Sequence, residues 1–182
     1  HISMENYIVK MCARFEIELT KDTEGNVKEV LAPSFHEENI STTPLDAKKI
    51  DGFPLREMIG ALQWVATVAR PDVAVPVSTL ARYTSRGPLK PLVTAVKKVA
   101  RYLLSTKGEG ISYSPEKEAK FNEVYGALLP EGRTIPSLNI FSDASFASCL
   151  KTMRSTTGSI MYWKGCPVLW RTNRQGVRAY ST

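Results

Sequence analysis

The chain of 182 residues carries 24 Lys and Arg against 18 Asp and Glu, a formal net charge of +6, and 43% of it is hydrophobic. That length buries a sizeable core in one domain or two small ones, and no run nears the eighteen or so uninterrupted apolar residues of a membrane span. Cys12, Cys149 and Cys166 are too scattered for a disulfide framework or a metal cluster, which favours an intracellular, reducing compartment.

The first residues, HISMENYIVK, lack the basic, apolar, small-residue order of a secretory signal. The sequence does not open on Met, and Met4 and an upstream extension are both open as the start. The region from Tyr7 to Leu19 starts as a helix-like pattern, with Ile8, Met11, Cys12 and Phe15 at spacings of three and four. Asp22 to Asn26 reads as a turn, and Ala32 to Asp46, with Pro33 and Pro44 near its ends, as a long surface connection.

From Asp51, taken as an N-cap, Leu55, Met58, Ile59, Leu62, Val65, Ala66 and Ala69 share one face of a 3.6-residue period. Arg70-Pro71-Asp72 ends that helix and opens another, because proline suits a first helical position and an acid suits the positive end. Val73, Val77, Leu80 and Ala81 carry the stripe to a stop at Ser85-Arg86-Gly87. A third helix runs from about Leu89 to Thr106 on Leu92, Val93, Val96, Val99, Ala100 and Leu103, with Gly108 closing it. Three amphipathic helices joined by tight breaks make a small bundle.

Gly110 to Ser114 alternates like a short strand, and Pro115 to Pro136 reads as a charged connection. The period then changes to two. Leu138, Ile140 and Phe141 enter one strand, Ser159 to Trp163 form a second, and Val168 to Arg171 a third after the turn Gly165-Cys166-Pro167. The expected fold class is α+β, a helical bundle followed by a partial mixed sheet. The divisions are a first segment and linker over 1–50, a helical region over 51–115, a linker over 116–136 and a sheet region over 137–182.

Charge is uneven along these divisions. Residues 1–50 sum to −3, 51–115 to +5, 116–143 to −2 and 144–182 to +6, which points to two surfaces facing a polyanion. On the third helix Lys90, Lys97 and Arg101 share a face, with Lys98 beside it. They either lie along nucleic-acid phosphates or form the solvated side of an amphipathic helix. Arg154, Arg171 and Arg174 accompany Thr, Asn and Gln around the last two strands. They either track a sugar-phosphate backbone or blunt a strand edge with charge. Trp163 and Trp170 are expected in the core.

Asp143 leaves an apolar strand among Ser142, Ala144 and Ser145, and no Asp or Glu follows it. A carboxylate between small neighbours supplies a hard oxygen ligand for Mg²⁺, or simply caps a turn. His36 stands without a Ser or Cys partner, and the sequence holds no Gly-rich phosphate loop, HExxH, CxxC or Asp-Asp pair.

Several blocks, in order, resemble the pol polyprotein of Ty1/copia-type retrotransposons. ENYIVKMCARF is similar to the segment just after the polymerase palm, and LREMIGALQWVATVARPDVAVPVSTLARY to the helical segment downstream. KKVARYLLSTKGEGISYS is similar to the next helix and strand, and FSDASFAS with RSTTGSIMYWKGCPVLWRTNRQGVRAYST to the opening of an RNase H domain. The resemblance implies a thumb-like helical region and a truncated RNase H-like sheet, with Asp143 as the first metal-ligating carboxylate of an incomplete site. Ser145 stands where the family has a second aspartate, and Pro76 interrupts a helix that is usually unbroken.

Two-metal hydrolysis needs several carboxylates to hold its ions. With Asp143 alone and no paired palm aspartates, the chain is expected to be inactive as nuclease and polymerase, and to need no cofactor where the intact family uses Mg²⁺. Two functions follow. One is a reverse transcriptase/RNase H fragment that binds an RNA/DNA hybrid or primer-template. The other is a domesticated or decayed element serving as a structural subunit among protein partners.

Overall fold

The computed structural model describes residues 1–28, 30–145 and 152–177. The expected class is found at the level of α+β. The chain divides into two compact units, one from Ser3 to Gly110 and the other comprising His1–Ile2 and the chain from Ile111 onward. A two-stranded sheet pairs β1 (Ile2–Ser3) with β2 (Gly110–Ile111).

In the first unit, α1 (Glu5–Arg14) buries Ile8, Met11 and Cys12. The helix-like start of this region is thus a helix, and it stops after Arg14 because Glu16 adopts φ 53° and the Ile17 N–H donates back to the Cys12 carbonyl at 2.8 Å, a left-handed helix stop. The expected turn at Asp22 is present. Its carboxylate accepts from the backbone N–H groups of Glu24 (2.9 Å) and Asn26 (2.8 Å), which hold its pKa below the ordinary value, Asn26 contributing most. The flanking residues pair as a short hairpin, Asp22 N–H to Asn26 O at 2.9 Å and Lys28 N–H to Thr20 O at 2.7 Å. Within the supposed connection, α2 (Glu37–Ser41) buries Ile40, and the Arg86 guanidinium donates to the carbonyls of Ile40, Ser41 and Thr43.

The three expected helices are α3 (Leu55–Val68), α4 (Ala74–Arg82) and α5 (Lys90–Ser105). Asp51 lies in a turn and Pro54 takes the N-cap position, so the expected Asp51 cap is not made. Pro76 does not interrupt a helix. It is the third residue of α4, in the first turn where proline is tolerated, and the break lies upstream at the 3-10 turn Pro71–Val73. Thr106, not Gly108, caps α5. The stripes read from sequence close one core around Met58, Leu62, Val65, Val73, Leu80, Leu92, Val96, Val99 and Leu103.

One polar cluster is built into that core. Arg70, 2% exposed, donates to both carboxylate oxygens of Asp72 (3.0 and 2.8 Å) and to the Thr106 carbonyl (2.8 Å) and hydroxyl (2.7 Å). The Tyr102 hydroxyl donates to Asp72 at 2.9 Å. Burial works against the charges of both Arg70 and Asp72, but their hydrogen bonds and mutual attraction prevail, raising the Arg70 pKa and lowering that of Asp72. The pair ties the break after α3 to the end of α5.

In the second unit the charged stretch after β2 is not wholly a connection. It forms α6 (Pro115–Gly126), with the Ser114 hydroxyl accepting from Lys117 N–H (3.4 Å) and Pro115 in the first turn. Strands β3 (Leu138–Ser145), β4 (Thr156–Trp163) and β5 (Cys166–Arg174) form an antiparallel sheet in that order. Cys166-Pro167 belongs to β5, so the turn is Lys164-Gly165. Gly165 has φ 73°, and a Cβ there would lie 2.7 Å from the Phe121 Cβ and 3.1 Å from the Glu118 backbone, so glycine is required on both counts.

Side chains alternate between the two faces of a sheet. Phe141 and Tyr162 face α6, where the rings of Phe121 and Tyr162 lie 5.2 Å apart and those of Tyr125 and Phe141 5.0 Å. On the other face Leu138, Ile140, Trp163 and Leu169 remain exposed. Trp163 therefore departs from its expected core position, since its side of the sheet is the one α6 does not cover. Trp170 is half-buried. Cys149 and the ends of the FSDASFAS and GVRAYST blocks lie outside the described residues.

Candidate nucleic-acid interface

The four basic residues expected on α5 fall into three settings. Lys90 is exposed in the first turn. Lys97 lies over the Phe53 ring, its Nζ 5.4 Å from the centroid, a cation–π contact that fixes the side chain. Lys98 and Arg101, three residues apart and so on adjoining turns, line an open groove together with Thr20, Lys28, Val30, Leu31, Ala32 and Ser34.

Local structure explains how the groove forms. The 20–28 hairpin places Thr20 and Lys28 across from each other, and Arg101 Nε donates to the Glu18 carbonyl at 3.0 Å, anchoring the strand that leads into it. That bond uses one of five guanidinium N–H donors. The groove encloses about 520 Å³. Among the described residues, its lining holds three cations, Lys28, Lys98 and Arg101, and two hydroxyls, Thr20 and Ser34. Lys28 was not among the expected residues. Its only sequence signal is the turn before it, which does not reveal that the hairpin folds toward a helix seventy residues on.

Around the sheet the expected arginines separate. Arg171 is paired in register with Ser159 and shares the face of Ile140 and Leu169, whereas Arg174, paired with Thr156, shares the face of Asp143. Arg171 lies two residues from Asn173 along the same face of β5. Arg154 is half-buried just ahead of β4. These three belong to the sheet unit, whereas α5 belongs to the helical unit.

Asp143 is exposed on β3 opposite Gly158, where a Cβ would meet nothing within 4 Å. One Oδ accepts from the Ala144 N–H at 2.7 Å. Among the described residues no three His, Cys, Asp or Glu side chains converge to hold a metal ion. One hard oxygen ligand does not fit a two-metal site, which needs several carboxylates.

Comparison with known proteins places this arrangement. Over its whole length the chain is 30% identical to the Retrovirus-related Pol polyprotein from transposon RE1 of Arabidopsis thaliana. It is 28% identical over 95% of its length to the putative transposon Ty5-1 protein of Saccharomyces cerevisiae, of which it covers 48%. The chain belongs to the Ty1/copia-type retrotransposon Pol family. It spans 11% of the length of the RE1 Pol polyprotein. It is also 30% identical over 71% of its length to Secreted RxLR effector protein 161 of Plasmopara viticola, covering 78% of that protein. No protein-family model and no solved structure matches this Pol-related chain. Among its described residues no helix is long and apolar enough to cross a membrane.

Proposed function

We propose that the chain is the thumb and connection region of a retrotransposon Pol protein followed by the opening strands of its RNase H-like domain, and that it binds nucleic acid through its basic surfaces. The observation that carries this reading is the groove where Lys28, Lys98 and Arg101 meet. Phosphates are the polyanion that clustered Lys and Arg bind by counterion release. Lys90 on α5 and, separately in the other unit, Arg154, Arg171 and Arg174 around the sheet are further cations available to phosphates. By itself the chain neither polymerises nor cleaves. Asp143 would give Mg²⁺ one ligand, and the ion's chemistry, polarising a phosphoryl oxygen and activating water, calls for further carboxylates.

The test is binding of a labelled primer-template, an RNA/DNA hybrid with a single-stranded template overhang, across a salt series. Neutralising about three phosphates gives a log–log slope of roughly −2 to −3, and an affinity insensitive to salt would overturn the reading. Magnesium-dependent cleavage of the hybrid that disappears in Asp143→Asn would overturn the inactive assignment.

A second reading, a structural subunit derived from a retroelement, is favoured by the exposed Leu138, Ile140, Trp163 and Leu169 on one sheet face. Contiguous apolar surface of this kind marks contact sites. A monodisperse, stable monomer in solution counts against it.

A further inference from the structure

The groove beside α5 has two unlike walls. Lys28, Lys98 and Arg101 supply charge, while Val30, Leu31 and Ala32 supply an apolar strip, with Leu31 87% exposed. Phosphate binding alone gives this apolar strip, which adjoins the cations in one groove, no role. A nucleotide unit has the same two-sided chemistry, an anionic phosphate and a flat, largely apolar base. The volume of about 520 Å³ lies within the range of pockets that hold ligands of that size.

Resting on the proposed nucleic-acid reading, we infer that this groove takes an unpaired nucleotide of a single strand, not a duplex. The phosphate sits among Lys28, Lys98 and the free edge of Arg101, whose Nε is already committed to Glu18. The base lies against Val30, Leu31 and Ala32. The hydroxyls of Thr20 and Ser34 hydrogen-bond sugar or phosphate oxygens. In a duplex the bases are stacked inside and only their edges are presented, so the apolar strip has no partner. A single strand can turn a base outward onto it.

The experiment uses the full chain and fluorescence anisotropy with a labelled single-stranded RNA, a single-stranded DNA of the same sequence, and the corresponding duplex. The single strands are expected to bind at least about tenfold tighter than the duplex. Lys28→Glu combined with Lys98→Glu should weaken single-strand binding about tenfold or more, and Leu31→Asp should weaken it while leaving duplex binding unchanged. Lys117→Glu combined with Lys120→Glu, the same charge change on exposed positions of α6, should leave single-strand binding unchanged. Circular dichroism verifies that each variant is folded. Equal affinity for single strand and duplex, or single-strand binding untouched by the Lys28 and Lys98 changes, overturns the inference and leaves nucleic-acid binding standing. Binding of none of the three probes overturns both. RNA and DNA binding alike would assign the groove to phosphate and base, and a preference for RNA would add the 2′-hydroxyl to what Thr20 and Ser34 read.

Discussion

The two units solve the same physical problem to different degrees. In the helical unit α1, α3, α4 and α5 each turn an apolar stripe toward one core, and Ile8, Met58, Leu62, Val65, Leu92, Val96 and Val99 are at most 1% exposed. In the sheet unit, among the described residues, only Ile111, Phe121 and Cys166 of the apolar residues are buried. One face of β3, β4 and β5 packs on α6 while the other keeps Ile140 at 61% and Leu169 at 55% exposure. A sheet needs cover on both faces when both are apolar. Stability is therefore expected to concentrate in the helices and adaptability in the sheet.

The sharpest way to break that comparison is Arg70→Ala. It removes the hydrogen bonds of a buried guanidinium to Asp72 and Thr106, but Asp72 is 36% exposed and can be solvated once alone, so the loss is expected at about 2–3 kcal/mol, measured by urea unfolding of the helical unit. A loss below about 1 kcal/mol would show that the network is ornamental. The same pair sets a pH dependence. Because the folded pKa of Asp72 is depressed below 3.8, its contribution is present above that value and is lost as pH falls through the folded value. Acid unfolding of Arg70→Ala should lack this component.

Gly165→Ala tests the sheet unit's best-packed point. Positive φ and the 2.7 Å approach to Phe121 predict a loss of about 1–3 kcal/mol, with the loss confined to the sheet unit in hydrogen exchange. The smallest effect is expected for Ile140→Ser. On an uncovered face the change should stay within about 0.5 kcal/mol, while binding of a hydrophobic dye falls. A large destabilisation there would mean that the face is covered in solution.

Legibility followed the strength of the periodic signal. The third helix was read as Leu89 to Thr106 and is found as Lys90–Ser105, because seven buried residues at helical spacing leave little freedom. Helix α6 was hidden, since it buries only Phe121 and its other positions read as a solvated charged stretch. Trp163 was misplaced because an aromatic in a strand signals burial only if its own face is covered. The groove lay beyond sequence reasoning for a different reason. Lys98 and Arg101 were visible as a helix face, but Lys28 and Leu31 join them only through the Glu18 carbonyl to Arg101 anchor and the hairpin it holds, which no local pattern announces.

The irregularity in β5 has a consequence for electrostatics. Tyr162 pairs with Pro167 and Met161 with Leu169, so Val168 is the additional residue of a bulge. A strand with that residue paired in turn would bring Arg171 opposite Gly158, directly across from Asp143, and send Trp170 to the opposite side. One skipped residue thus keeps a guanidinium out of the slot facing the carboxylate, where Thr172 now sits. The bulge works as a parity switch that decides whether a threonine or an arginine of β5 shares the row of Asp143.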